Sequence, residues 1–329
     1  MFRIKGNKRD KEIIMKISKA IGSAKKFIFS HRNRQGLWED FNSQSHGNGV
    51  DWISSYVGLS LLNAGVPLSD LKLTAYHISR RQDKGGGWGY NNKTSAPDAD
   101  STAFSILFLS RFDYGRKVRL AKEFLLQHQK GNGGFGTYLE ELVRRDYQKR
   151  VSADTSVAGW CSAIPEITTM ALKALKRNER ALEYIKESQS KGGFWRSYWY
   201  NNNIYATTQG IRSLQNHGAE YEIKKAQEWL AKQNSIIPFY LALQIMGLVS
   251  NKRYRDKINY ELSNLINMQR MDGSWENHSI LRVPSPSNTK PWEDMSRWRE
   301  DIRDQERIFT TATCLEALAK YEEEFPKPR

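Results

Sequence analysis

Cysteine is nearly absent from this chain. Cys161 and Cys314 are the two in 329 residues, they lie far apart in apolar segments of helical pattern, and neither belongs to a C-x-x-C pair or stands near a histidine cluster. That spacing excludes a disulfide framework and a cysteine-based metal cluster, so both thiols read as reduced core residues. Long apolar runs are missing as well. No stretch approaches the roughly 20 residues that a bilayer-spanning helix requires, and the N-terminus has no apolar signal-peptide core, so the chain reads as cytoplasmic. Acidic residues are in deficit: 51 Lys and Arg against 36 Asp and Glu leave a formal charge of +15. Such an excess attracts anions of every kind and leaves nucleic acid, acidic membrane and phosphorylated substrates open.

Much of the charge is scattered. Lys5, Lys8, Arg9, Lys11, Lys16, Lys19, Lys25 and Lys26 are the exception, because they surround Ile13, Ile14, Ile17 and Ile21 in the pattern of a basic amphipathic helix. This helix reads as one solvated face of a larger assembly, with peripheral membrane contact as the other reading.

What the sequence has in abundance is a repeat. Glutamines close helical patterns at Gln35, Gln82, Gln129, Gln189, Gln233 and Gln269. Gly-aromatic turns follow as Gly36-Leu37-Trp38, Gly85-Gly86-Gly87-Trp88, Gly133-Gly134-Phe135, Gly192-Gly193-Phe194-Trp195 and Asp272-Gly273-Ser274-Trp275, while the turn after Gln233 has lost its glycines. Second apolar helices are expected over 51–62, 98–109, 165–175, 204–214, 238–248 and 307–318. One helix pair cannot bury its apolar stripe alone, whereas six stacked pairs can close on themselves without an exposed end. The expected fold is a single all-α domain over 1–329, an (α/α)6 toroid around a central cavity. The 39% of hydrophobic residues supply the core it needs. The glutamines are expected to bond backbone groups at helix ends.

If the second helices form the inner wall, their first turns face one mouth. Alignment on the apolar pattern brings Asp100, Glu166, Tyr205 and Phe309 to equivalent places, with Thr102, Thr168, Thr207 and Thr311 one step further in. The hydroxyls read equally as helix caps and as substrate contacts. The second repeat stands apart, because Pro97-Asp98-Ala99-Asp100-Ser101-Thr102-Ala103 puts two carboxylates two positions apart. Helix capping explains Asp98, since Asp51 begins the equivalent helix in the first repeat. It leaves Asp100, aligned there with Ile53, unexplained.

Residues 98–103 resemble the D-x-D-D-T-A motif of class II terpene cyclases, the squalene-hopene and diterpene cyclase family. The Gln/Trp turns resemble that family's QW repeats, and Gln269 to Trp275 is similar to the fuller Q-x-x-D-G-S-W form. The resemblance covers nearly the whole chain. It implies a protonation-initiated cyclisation in which Asp100 is the general acid and Asp98 its carboxylate neighbour, with Ser101 standing where the family has a further Asp. A second carboxylate and a dry apolar cavity would hold one Asp neutral near pH 7. The carbocations would be sheltered by aromatic faces, each contributing about 0.5–2 kcal/mol; Trp88, Tyr90, Trp160, Trp195, Tyr198, Trp199 and Tyr205 are the candidates, with core packing as the plainer reading of each.

Full squalene cyclases have two such domains and this chain has one. The implied substrate is therefore farnesyl or geranylgeranyl diphosphate with its diphosphate retained, and no nucleic acid. Arg144, Arg145, Lys149, Arg150, Arg282, Lys290, Arg297 and Arg299 are candidate diphosphate contacts, and Asp272 with Glu276 a candidate magnesium pair. Residues 276–307, with Pro284, Pro286 and Pro291, read as a long loop and a lid. Three other readings stay open. Protein prenyltransferase β subunits form a similar ring, but their zinc set of Asp, Cys and His finds no D-x-C here. A carbohydrate-active ring fits poorly, because two acids on one helical turn cannot oppose each other. A non-catalytic ring that binds an isoprenoid or a partner protein draws its support from Ser101.

Overall fold

The computed structural model describes residues 8–43, 46–147, 151–293 and 298–326, without the side chains of 8–14 and 298–301. Two concentric rings of helices build it. The outer ring holds α1 (Lys8–Ser30), α3 (Leu68–Arg80), α5 (Gly115–Gln127), α9 (Glu179–Glu187), α11 (Glu220–Leu230) and α13 (Arg255–Asn267). The inner ring holds α2 (Asp51–Asn63), α4 (Ala99–Leu109), α8 (Pro165–Leu175), α10 (Asn203–Leu214), α12 (Pro238–Leu248) and α14 (Ile308–Glu324). Two short helices, α6 (Glu140–Asp146) and α7 (Ala158–Cys161), fill the connection between α5 and α8.

Each inner helix packs on the next, and α14 returns to α2, so the ring closes. The difference between the rings follows from the sequence. Every residue of α12 is buried, as expected of a helix that is apolar on all sides, whereas α9 buries only Ala181, Leu182 and Ile185 along one stripe. Proline opens α8 and α12, at a helix position whose N–H would have no intrahelical partner in any case.

The repeated turns are held by three recurring hydrogen bonds. Gln82, Gln129, Gln189 and Gln269 donate Nε2–H to the carbonyls of Gly86, Gly133, Gly193 and Gly273, four residues on, at 2.7–2.9 Å. They also reach the next outer helix, on Lys117, Asn178, Glu222 and Ala20. The last of these ties the final repeat to α1 and so seals the circle. Trp38, Trp88, Trp195 and Trp275 are fully buried, and each donates its indole N–H to the carbonyl ten residues earlier, at 2.6–2.8 Å.

The third bond corrects an expectation. Thr102, Thr168, Thr207 and Thr311, with Ser54 in the first repeat, receive the backbone N–H of the turn aromatic at 2.8–3.3 Å. These hydroxyls cap none of the helices and do not line the hollow at the mouth of the ring; they fasten the turns to the inner ring. After Gln233, where the glycines are lost, Gln244 of α12 donates to the carbonyls of Leu230 and Gln233 instead.

Gly133 adopts φ +90°, and a Cβ there would come 2.3 Å from the Arg180 carbonyl oxygen. Gly133→Ala is expected to lower stability by at least about 1–2 kcal/mol from the left-handed backbone alone, read from the midpoint of urea denaturation.

Small antiparallel pairs decorate the mouth where the inner helices begin: β1 (Asp40–Ser43) with β2 (Gly47–Gly49), β3 (Trp88–Gly89) with β4 (Pro97–Asp98), and β5 (Ser279–Pro284) with β6 (Trp298–Arg303). The β5–β6 pair corrects the reading of 276–307 as a loop. Its first strand docks on the chain before α10, where Asn201 N–H donates to Ile280 O and Arg282 N–H to Trp199 O. At the opposite end of the ring a polar plug fills the centre. There Glu316 accepts from Ser60, Asn63 and Arg212, and Lys173 donates to Gln209.

Helix α1 buries Ile17, Ile21, Ala24 and Ile28 against the ring, so the apolar stripe read as a membrane-facing candidate is spent on closure. Lys5 and the side chains of Lys8, Arg9, Lys11, Ile13 and Ile14 lie outside the described residues. No helix among the described residues is long and apolar enough to cross a membrane. Both cysteines are free thiols.

Candidate active site

The first turns of the inner helices converge at the mouth, and the turn hydroxyls fix their levels. Two residues before Ser54, Thr102, Thr168, Thr207 and Thr311 stand Trp52, Asp100, Glu166, Tyr205 and Phe309. Trp52, and not Ile53, is therefore the counterpart of Asp100. Asp51 aligns with Ala99 and lies inside its helix, ion-paired with Arg81, so it is no cap equivalent to Asp98.

The hollow beside this collar is off-centre and encloses about 840 Å³ free of atoms, part of it open to solvent. Asp98, Asp100 and Ser101 line one side; Trp52, Tyr90, Tyr138, Tyr147, Trp160, Trp199 and Tyr200 form an aromatic wall; Leu281, Arg282, Val283 and Ile302 of the β5–β6 pair lie over it. Within the wall Tyr138, Tyr147, Trp160 and Trp199 form one cluster of ring contacts at 5.8–6.4 Å, and Trp52 stacks on Tyr90. Three of the wall's polar tips are held by the protein: Trp160 Nε1–H donates to Pro284 O, Trp199 Nε1–H to Thr137 Oγ1, and the Tyr90 hydroxyl to Phe41 O.

Asp98 caps α4. Its Oδ1 accepts the Ser101 N–H at 2.7 Å and its Oδ2 the Ser101 hydroxyl at 2.8 Å, while β4 holds it opposite Trp88. Burial pushes its carboxyl up to about 7 against those bonds. Asp100 points into the hollow, and among the described residues no group donates a hydrogen bond to its carboxyl. Burial first, then the neighbouring Asp98 and Glu166 carboxyls, raise it well above the usual carboxylate range, against a smaller pull from Lys173. Burial and those two carboxyls favour the neutral carboxylic acid over the carboxylate, and it faces aromatic rings.

Several residues expected at the cavity lie elsewhere. Trp88 is sealed in its turn, and Thr102 is bonded to it. Glu166, Tyr205 and Phe309 sit behind or beneath the wall: Glu166 Oε1 accepts the Trp199 N–H at 2.6 Å, Tyr205 stacks on Tyr200 at 3.5 Å, and Phe309 fills the centre against Trp52, Tyr56 and Phe239. Arg282 does line the hollow but spends its guanidinium on the carbonyls of Ser197 and Tyr198. Lys290 is exposed beside Glu293, and Arg144 and Arg145 pair with Glu140 and Asp146. Lys149, Arg150, Arg297 and the Arg299 side chain lie outside the described residues.

The candidate magnesium pair does not fit that ion. Asp272 is ion-paired with Arg307 and Glu276 with Arg270, and a cation there would have to displace two guanidinium groups. Among the described residues no group of three or more His, Cys, Asp or Glu side chains is placed to hold a metal.

Residues 61–236 match the squalene-hopene cyclase C-terminal domain family. Among solved structures the type II terpene cyclase MstE from Scytonema, in complex with geranylgeranyl dihydroxybenzoate as substrate, superposes with a TM-score of 0.86 at 25% identity, covering 95% of this chain and 99% of that one. The same enzyme bound to merosterolic acid A as product gives 0.87 at 26% identity over the same shares of the two chains. The ent-copalyl diphosphate synthase from Streptomyces platensis, at 15% identity and a TM-score of 0.57 over 82% of this chain and 50% of its own, shares the fold alone. A terpene cyclase–glycosyl transferase fusion protein, fsoA of Humicola fuscoatra, is 25% identical over an alignment of 206 positions that covers 54% of this chain and 14% of that much longer protein. The ring, the family match over more than half of its length and the end-to-end likeness to MstE agree: this chain belongs to the squalene-hopene cyclase C-terminal domain family and is a class II terpene cyclase-like enzyme.

Proposed function

We propose that the enzyme protonates and cyclises a linear geranylgeranyl chain and leaves its head group in place. The observation that carries this reading is the Asp100 carboxyl, without a hydrogen-bond partner among the described residues and held above the usual carboxylate range by burial and two acidic neighbours, aimed into an aromatic-walled hollow. In the first step the carboxyl proton passes to the terminal double bond of the chain, the O–H bond breaks as a C–H bond forms, and a tertiary carbocation and the Asp100 carboxylate result. Remaining double bonds attack in turn, each closing a ring. Trp52, Tyr90, Tyr138, Tyr147, Trp160, Trp199 and Tyr200 offer π faces to the moving charge and no nucleophile strong enough to trap it. Loss of one proton from the last cation returns the balance, so the product is an isomer of the substrate.

The likeness to MstE over nearly its whole length, together with that enzyme's bound geranylgeranyl dihydroxybenzoate, favours an aromatic acid as head group. A diphosphate is the alternative, retained in the same way. Incubation with geranylgeranyl dihydroxybenzoate, geranylgeranyl diphosphate and farnesyl diphosphate, followed by mass spectrometry and NMR, tests this. A product of unchanged mass, with alkenes replaced by rings, is expected from the first substrate. Released pyrophosphate, or tight binding without turnover of any of the three, overturns the reading.

A further inference from the structure

Ser101 stands where the family's motif carries a third acid, and both of its donors are spent on Asp98. That leaves Asp100 with one motif carboxylate beside it, and that carboxylate has each oxygen already bonded. A second acid lies at the same level on the next inner helix. Asp100 and Glu166 each precede by two residues the hydroxyl that receives a turn aromatic, and α4 packs directly on α8. Glu166 is 1% exposed. One of its oxygens is pinned by the Trp199 N–H, and the other is buried with no hydrogen-bond partner. Burying a carboxyl with one oxygen unpartnered costs stability.

We propose that Glu166 is a positioning residue that takes the part of the missing third acid, supplying from the neighbouring repeat the negative charge that keeps the proton on Asp100. This rests on the reading of Asp100 as the acid. The groups that face the pair are Asp98 before α4, Lys173 on α8, Arg282 on β5, and the hydroxyls of Tyr198, Tyr200 and Tyr205. Burial holds Glu166 itself up to about 7, so its charge develops as pH rises through that value. Lys173 and Arg282 oppose the effect, and Asp98 adds to it. The direction follows from Coulomb's law: an anion beside a carboxyl disfavours its ionisation, so removing that anion lets Asp100 lose its proton at lower pH.

The test uses the substrate-free full chain. Asp100 is identified as the infrared C=O band of a protonated carboxyl that disappears in Asp100→Asn, and its loss with rising pH is followed in Glu166→Gln, which keeps the acceptor for Trp199 and removes the charge. The midpoint is expected to fall by about one pH unit, and turnover at pH 8 to fall by up to about tenfold, more than at pH 6, where turnover stays near that of the unaltered enzyme. Glu166→Asp, which restores the charge, is expected to restore the midpoint, and it is the variant read should Glu166→Gln fail to fold. An unchanged midpoint in Glu166→Gln, or an equal loss of turnover at both pH values, overturns the proposal. Should no protonated band vanish in Asp100→Asn, it is the reading of Asp100 that fails, whatever Glu166 does.

Discussion

Asp100→Asn abolishes cyclisation, lowering turnover by at least about 10³-fold, within the range that general acids contribute, and leaves the helical circular dichroism unchanged. The amide matches the carboxyl in shape and has no proton acidic enough to reach an alkene. Because no described group donates to the Asp100 carboxyl, the substitution breaks no hydrogen bond. Burial and two neighbouring carboxyls make position 100 a costly place for a charge, so the neutral amide is expected to hold stability level or raise it. Steady-state kinetics and thermal unfolding on the same preparation check both halves. An active Asp100→Asn enzyme would remove the acid from the mechanism, and an unfolded one would contradict the structural account of the site.

Trp195→Ala, in contrast, acts on the ring and not on the chemistry. Its indole is fully buried, it donates to Ile185 O at 2.7 Å, and it lies flush on Gly210, where an added Cβ would come 2.6 Å from the ring. Truncating a buried Trp costs about 3–5 kcal/mol, and loss of the indole hydrogen bond adds to that, although Ser188 Oγ still donates to Ile185 O. Denaturant titration is expected to show the loss in full, because an outer helix of nine residues, α9, cannot collapse far enough to refill the space. A cost below about 1 kcal/mol would mean that the turns do not hold the inner and outer rings together.

The turns were legible because their determinants are local. A Gln, a Gly in the left-handed region and a Trp within seven residues specify the reversal wherever they occur, and six reversals with two apolar helices each leave little choice but a ring. Asp100 was legible for a similar reason, since the motif is a continuous stretch. The wall was legible in part, since Tyr90, Trp160 and Trp199 are among the candidates and line the hollow. Tyr138, Tyr147 and Tyr200 lie on irregular connections whose meeting depends on the whole ring, and Leu281, Val283 and Ile302 arrive from a strand pair that read as a loop. Trp88 was misplaced at the rim because its turn points it between the rings. The Ile53 alignment was off by a single residue, which on a helix is a rotation of about 100°, enough to hide Trp52. Asp272 and Glu276 looked available to a metal because the pairing of Asp272 with Arg307 spans 35 positions of sequence, a distance over which spacing carries no signal.

The bond from Gln269 to Ala20 has a temporal consequence. Translation delivers α1 well before the helices it packs on, α13 and α14. Until those emerge, Ile17, Ile21 and Ala24 lack the native surface that covers them in the closed ring, an exposure of the sort that chaperones guard. Closure therefore comes as a late docking of α1 on α13 and α14, and variants that slow it should betray themselves as insoluble protein before they betray themselves as inactive enzyme.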